Sequence, residues 1–202
     1  MNIPIYECQG WDAADVIGTV GKICSQQDWE CVIVTGDRDS LQLIDGNVHV
    51  KLVISKPGQT TTTLFDEEKF REEYGFEPKK LIDLKALMGD SSDNIPGVAG
   101  VGPKTAKELL AKFGSLDGVY AHLDDPSIRP KLREKLEAGK ENAYLSFDLA
   151  TIRPEAPIDF APKDAIVQPY NRLELYQLFQ KLEFVRLIDK YGLRGAAAGG
   201  PQ

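Results

Sequence analysis

The chain has 202 residues, of which 42% are hydrophobic and 27% charged, enough for one large domain or two small ones around a real apolar core. Only two His and three Cys occur, and Cys8, Cys24 and Cys31 show no CxxC spacing, so neither a zinc site nor a disulfide framework is supported. No apolar run reaches membrane-spanning length, and the opening from Met1 to Glu7 lacks the basic and apolar regions of a secretory leader. A cytoplasmic chain with no membrane partner is expected.

A net charge of −7 argues, taken alone, against nucleic acid, because phosphate binding needs a basic footprint. The average hides two basic stretches, Lys104, Lys107 and Lys112, then Arg129, Lys131, Arg133, Lys135 and Lys140. By itself the second stretch reads as a solvated helix face.

In chain order, residues 12–23 carry an acidic first turn and then Val16, Ile17, Val20 and Ile23 at helical spacing. Cys31 to Val34 is a short apolar run that reads as a strand buried on both faces, ending in Thr35-Gly36-Asp37. Carboxylates at the C-terminal end of such a strand stand where α/β proteins build sites. Residues 48–54 and 60–64 flank Lys56-Pro57-Gly58 and read as a hairpin. Helices are expected over 66–74, stopped by Gly75, and over 78–88, whose apolar stripe is core rather than a cofactor box. Gly97-Val98-Ala99-Gly100-Val101-Gly102 leads into Pro103 and a helix over 104–113. That glycine-rich turn ends at a helix N-terminus, where exposed N–H groups and the nearby Lys104 and Lys107 suit a phosphate oxygen. Residues 115–149 read as polar helices, 152–169 as an extended proline-bearing connection, and 173–191 as one amphipathic helix burying Leu175, Leu178, Phe179, Leu182, Phe184 and Leu187. Residues 194–202 read as a flexible tail.

Asp12 with Asp15, Asp37 with Asp39, and Asp90 with Asp93 pair acidic groups at element ends. Carboxylates about 4 Å apart repel by about 4 kcal/mol at an effective dielectric of about 20, and a divalent cation reverses that sign. For one pair, a helix cap or solvated turn is the commoner explanation; three pairs beside a phosphate-binding hairpin point to a ligand. Oxygen donors without His or Cys favour magnesium or manganese, and two such ions can clamp the attacking and leaving oxygens of a phosphodiester.

The segments VTGDRDSLQL, LIDLKALMGDSSDNIPGVAGVGPKTAKELL, AYLSFDLATI and KLEFVRLIDKYGL closely resemble the 5′-to-3′ exonuclease domain of bacterial DNA polymerase I, in the flap endonuclease superfamily, from about Ile5 to Leu193. The resemblance implies an α/β fold: part of a PIN-like or resolvase-like parallel sheet over 1–88, a mainly helical helix-hairpin-helix DNA-binding subdomain over 89–193, and a tail. It implies a metal-dependent phosphodiesterase acting on duplex DNA with a 5′ flap or nick, in replication and repair. Asp37, Asp39 and Asp93 look like ligands of one metal site, with Asp90 and Asp15 in close support and Asp12 at the other. Asp12, Asp37, Asp39 and Asp93 are the implied catalytic residues. Gly97, Val98, Gly100, Val101, Gly102, Lys104, Thr105 and Lys107 look like the duplex grip, where relatives can hold K+ on backbone carbonyls.

Two departures qualify that reading. The family usually shows Glu-Ala-Asp-Asp where this chain has Asp12-Ala13-Ala14-Asp15, so Ala14 replaces an expected ligand and Asp12 is a methylene short. The chain also begins just before this motif, and the resemblance implies amino-terminal strands and a basic arch that are absent. Impaired catalysis with one well-formed metal site is therefore expected. A non-catalytic duplex-binding module, or half of a split nuclease completed by an amino-terminal segment or a polymerase partner, is the alternative.

Overall fold

The computed structural model describes residues 1–196; the tail expected at 194–202 lies, for residues 197–202, outside the described residues. The chain divides into two compact units, residues 7–158, and residues 1–6 together with residues 159 onward.

In the larger unit, helix α1 (Ala13–Gln26) starts after Asp12, whose extended backbone occupies the cap position. Strand β1 (Cys31–Thr35) runs parallel to β2 (Val48–Lys56), and β2 pairs antiparallel with β3 (Gln59–Phe65). Period-two alternation sends Ile33, Val48, Val50, Leu52 and Phe65 into the core, each no more than 6% exposed. The strand expected to be buried on both faces is an edge strand of the described sheet instead: Val32 and Val34 are 48% and 64% exposed, on the same face as exposed Leu64 of β3, with Lys51 of β2 between Val34 and Leu64. An apolar run cannot distinguish a two-sided strand from a one-sided strand whose outer face is also apolar. The predicted hairpin is present, with Gly58 at φ +79° in its turn.

Helix α2 (Glu67–Tyr74) begins with the Asp66 carboxylate accepting from the Lys69 amide at 2.8 Å and ends at left-handed Gly75. Helix α3 (Lys80–Met88) is entered through a turn at Pro78 and buries Leu81, Leu84, Ala86 and Leu87. The leucines contribute roughly 1.5–3 kcal/mol each on full burial. Then follow α4 (Pro103–Phe113), α5 (Leu116–Ala121), α6 (Pro130–Ala138) and α7 (Lys140–Ala150). Buried Asp83 of α3 accepts the Leu116 amide at 2.8 Å, tying α5 to α3.

In the smaller unit, the single helix expected over 173–191 is two helices, α8 (Arg172–Lys181) and α9 (Val185–Lys190). Glu183 takes φ +58° between them and the Phe184 amide reaches back to the Phe179 carbonyl at 2.8 Å. That reversal leaves Leu178, Leu182 and Phe184 nearly half exposed; Leu175, Phe179, Ile188 and Leu193 form the core. The connection at 152–169 is extended apart from a 3-10 turn at Pro162–Ala165. Among the described residues no helix is long and apolar enough to cross a membrane.

Candidate functional site

Thr35-Gly36-Asp37 carries the chain off the end of β1 into a 3-10 turn (Arg38–Leu43). The Asp37 carboxylate caps that turn, accepting the Asp39 amide at 2.9 Å, and this directs the Asp39 side chain towards the end of α3. There, Gly89 at φ +73° turns the chain, and Asp90 and Ile95 exchange two backbone hydrogen bonds of 2.8 Å. Residues 91–94 form the closed loop between them, held by Ser92, whose amide and hydroxyl donate to Asp90 Oδ1 at 2.9 and 2.5 Å.

Asp39, Asp90 and Asp93 thereby converge, each offering a carboxylate oxygen within 4.8 Å of the others. The grouping differs from the expected trio of Asp37, Asp39 and Asp93. Asp90 joins on its pinned loop, while Asp37, one of whose oxygens caps the turn, lines the same cleft as Asp39 and Asp93, near enough for Asp93 and Asp90 to act on it. Burial first, then Asp93 repulsion, pushes the Asp37 carboxyl above its ordinary range against the opposing pull of Lys85. Hydrogen bonds from Ser92, then the Lys85 ammonium, hold Asp90 down at about 2.

Lys85, which sequence reading passed over as part of a core helix, is 9% exposed. Its ammonium contacts Asp39, lies 2.9 Å from Asp90 Oδ2 and 3.9 Å from Asp93 Oδ2. The signal was available: a lysine in the otherwise apolar face of α3 needs an acidic partner to be buried.

Asp12, Ala14, Asp15, Asp37, Asp39 and Asp93 line one cleft of about 340 Å³, walled by residues 149–152. The wall is fixed by Gln42, whose buried amide accepts the Ile152 N–H at 2.9 Å and donates to the Ala150 carbonyl at 2.8 Å. Asp12 is exposed at the cleft and Ala14 brings no donor atom. Asp15 is 5% exposed and both its oxygens are engaged by Arg153, through the backbone amide at 2.8 Å and the guanidinium at 3.2 Å. Arg153 in turn lies 4.3 Å from the ring centroid of Trp11. Sequence reading found neither Gln42 nor Arg153, since each partner is more than 100 residues away.

The convergent donors suit a hard divalent cation. Magnesium takes oxygen ligands at about 2.1 Å, so the three oxygens, which lie within 4.8 Å of one another, draw together around a shared ion.

The same turn leads into the hairpin. Gly97, at φ +61°, passes so close to Gly89 that a Cβ would meet its nitrogen at 2.3 Å. The Gly97 amide donates to buried Ser146 of α7 at 2.8 Å and the Val98 amide to the Leu87 carbonyl at 2.8 Å. Val98 and Val101 are buried, so their side chains anchor the hairpin rather than face a ligand. Gly100, Gly102, Lys104 and Lys107 are exposed and Thr105 is half-buried. Among the described residues no side chain caps α4 at Gly102, and its first turn faces outward beside the two lysines. Lys135 of α6 donates to the Gly100 carbonyl at 3.4 Å, adding a third ammonium.

Residues 1–75 match the family described as 5′-3′ exonuclease, N-terminal resolvase-like domain, and residues 76–173 the 5′-3′ exonuclease, C-terminal SAM fold. DNA polymerase I of Caldicellulosiruptor bescii is 44% identical over 192 residues, covering 95% of this chain and 22% of that protein. DNA polymerase I of Bacillus caldotenax is 41% identical over 189 residues, covering 94% and 21%. The chain thus spans about a fifth of the length of these curated relatives. Among solved structures, T5 5′-exonuclease with divalent zinc ions bound superposes with a TM-score of 0.60 at 24% identity, over 74% of this chain and 53% of that one. The catalytic core of Rad2 in complex with DNA substrate gives 0.56 at 20% identity, over 84% and 57%. With consecutive matches to both halves of one nuclease fold, the chain belongs to the 5′-3′ exonuclease family.

Proposed function

We propose that this chain carries the carboxylate centre and the duplex grip of a 5′ nuclease that hydrolyses phosphodiester bonds at 5′ ends of flapped or nicked DNA. The observation that supports it most directly is the convergence of Asp39, Asp90 and Asp93 on a loop continuous with a helix-hairpin-helix. In this reading those three residues hold one magnesium or manganese ion, Asp37 contributes charge beside it, and Asp12 serves a second position. Asp15 orients the wall of the cleft through Arg153. When bound, the divalent ions supply a polarised water and charge neutralisation at the phosphodiester. The chain's own residues fix the duplex backbone at Gly100, Gly102, Lys104, Thr105 and Lys107, with Gly97, Val98 and Val101 shaping the turn. Potassium at the hairpin carbonyls belongs to the same reading, with Gly100 shared with Lys135. Residues 1–88 and 89–193 are the corresponding catalytic and DNA-binding portions.

Ala14 at the cleft, with Asp15 occupied by Arg153, favours a second outcome, duplex binding with little cleavage. One experiment tests both. Anisotropy with duplexes of differing sequence should give similar affinities, because amides and lysines contact phosphates rather than base edges. Lys104→Ala should lower the salt slope by about 1. With manganese and a 5′-flap substrate, cleavage that disappears in Asp39→Asn supports the nuclease; sequence-independent binding without cleavage supports the binding module. Failure to bind duplex DNA in low salt overturns both.

A further inference from the structure

The three converging carboxylates already have a cation. We propose that Lys85 is the internal counter-ion of the cluster and that a divalent metal binds by displacing its ammonium, an inference that rests on the metal-centre reading above. The ammonium contacts Asp39 and lies 2.9 and 3.9 Å from oxygens of Asp90 and Asp93, the same three residues whose oxygens converge within 4.8 Å. Two of its three N–H donors are given to Asp39 and Asp90 and its charge lies 3.9 Å from Asp93, so it ties together the 3-10 turn after β1, the end of α3 and the loop that follows. Lys85 is 9% exposed on a helix whose neighbours Leu84 and Ala86 are buried, and its charge is met by these acids, with Asp37 also within its reach.

Two consequences follow from charge alone. Without metal, three mutually repelling carboxylates stay assembled because the ammonium sits among them. With metal, a dication and an ammonium compete for the same oxygens and repel each other at contact range. The backbone of α3 need not move, because Lys85 hangs on a flexible four-carbon stem while its carbonyl holds the Gly89 amide at 2.8 Å. Lys85 is a positioning residue: it keeps the site shaped while empty and raises the metal concentration at which the site fills.

Manganese titration without DNA tests this by calorimetry and thermal melting on wild type, Lys85→Met and Asp93→Asn. Lys85→Met is expected to bind manganese about tenfold or more tightly, to melt lower in chelator, and to gain more in melting temperature from manganese than wild type. Should Lys85→Met fail to fold, amine labelling of wild type read by mass spectrometry decides the matter: Lys85 should be modified faster with manganese than without. Affinity in Lys85→Met no tighter than wild type, or labelling of Lys85 unchanged by manganese, overturns the proposal while leaving the metal centre intact if Asp93→Asn still weakens binding. Equal manganese binding by wild type and Asp93→Asn overturns both.

Discussion

Asp125 illustrates how a single carboxylate fixes the neighbourhood of the duplex grip. Its Oδ1 accepts the Ser127 hydroxyl at 2.6 Å and amide at 2.9 Å and receives Lys112 of α4 at 3.1 Å. The two Ser127 hydrogen bonds and then Lys112 hold its carboxyl down at about 2. A folded-state value below the unfolded one of about 3.9 stabilises above pH 4 and loses that contribution as pH falls through the folded value. The difference in denaturant midpoint between wild type and Asp125→Ala should therefore be constant from pH 7 to about 5 and shrink towards zero between about 4 and 2. A difference that persisted at the acid end would mean Asp125 acts through packing. Lys85 and Arg153 belong to the same scale: neither carries a motif, yet each neutralises an acid that sequence reading had placed in the metal site.

Between elements, the decisive contact is the one that joins the carboxylate loop to the hairpin. Gly89 and Gly97 cross at a distance no side chain fits, with Gly97 in the left-handed region. Gly97→Ala should destabilise the larger unit by more than the roughly 1–2 kcal/mol of the left-handed backbone alone, because the Gly89 backbone must also move. It should weaken manganese and duplex binding together, whereas Lys104→Ala should weaken only the duplex. Calorimetry and anisotropy on the two variants check this, and loss of one ligand alone in Gly97→Ala would uncouple loop from hairpin. The glycine pattern was legible because it demands backbone conformations that other residues resist. The break between α8 and α9 was not, since Glu183 at φ +58° is a non-glycine residue that no local rule selects.

For the whole molecule, β1 hydrogen-bonds to β2 on one side, and Val32, Val34 and Leu64 lie open on the outer face. An apolar face next to an unpaired strand edge favours association. Purified at high concentration, the 202-residue chain should form dimers or larger species in light scattering, and Val34→Lys should shift it towards monomer. A monomer at every concentration would show that the edge is protected.

By itself the sequence determined the helix and strand periods, the helix stop at Gly75, the hairpin glycines and which acidic pairs stand at element ends, because each is a local property of spacing and backbone freedom. Only the tertiary structure decided which carboxylates meet, that Asp90 comes together with Asp39 and Asp93, that Asp15 pairs with Arg153, and that Lys85 sits among the three carboxylates. Those outcomes depend on how elements far apart in the chain pack, and charge at contact range is fixed by distance in space rather than distance along the sequence.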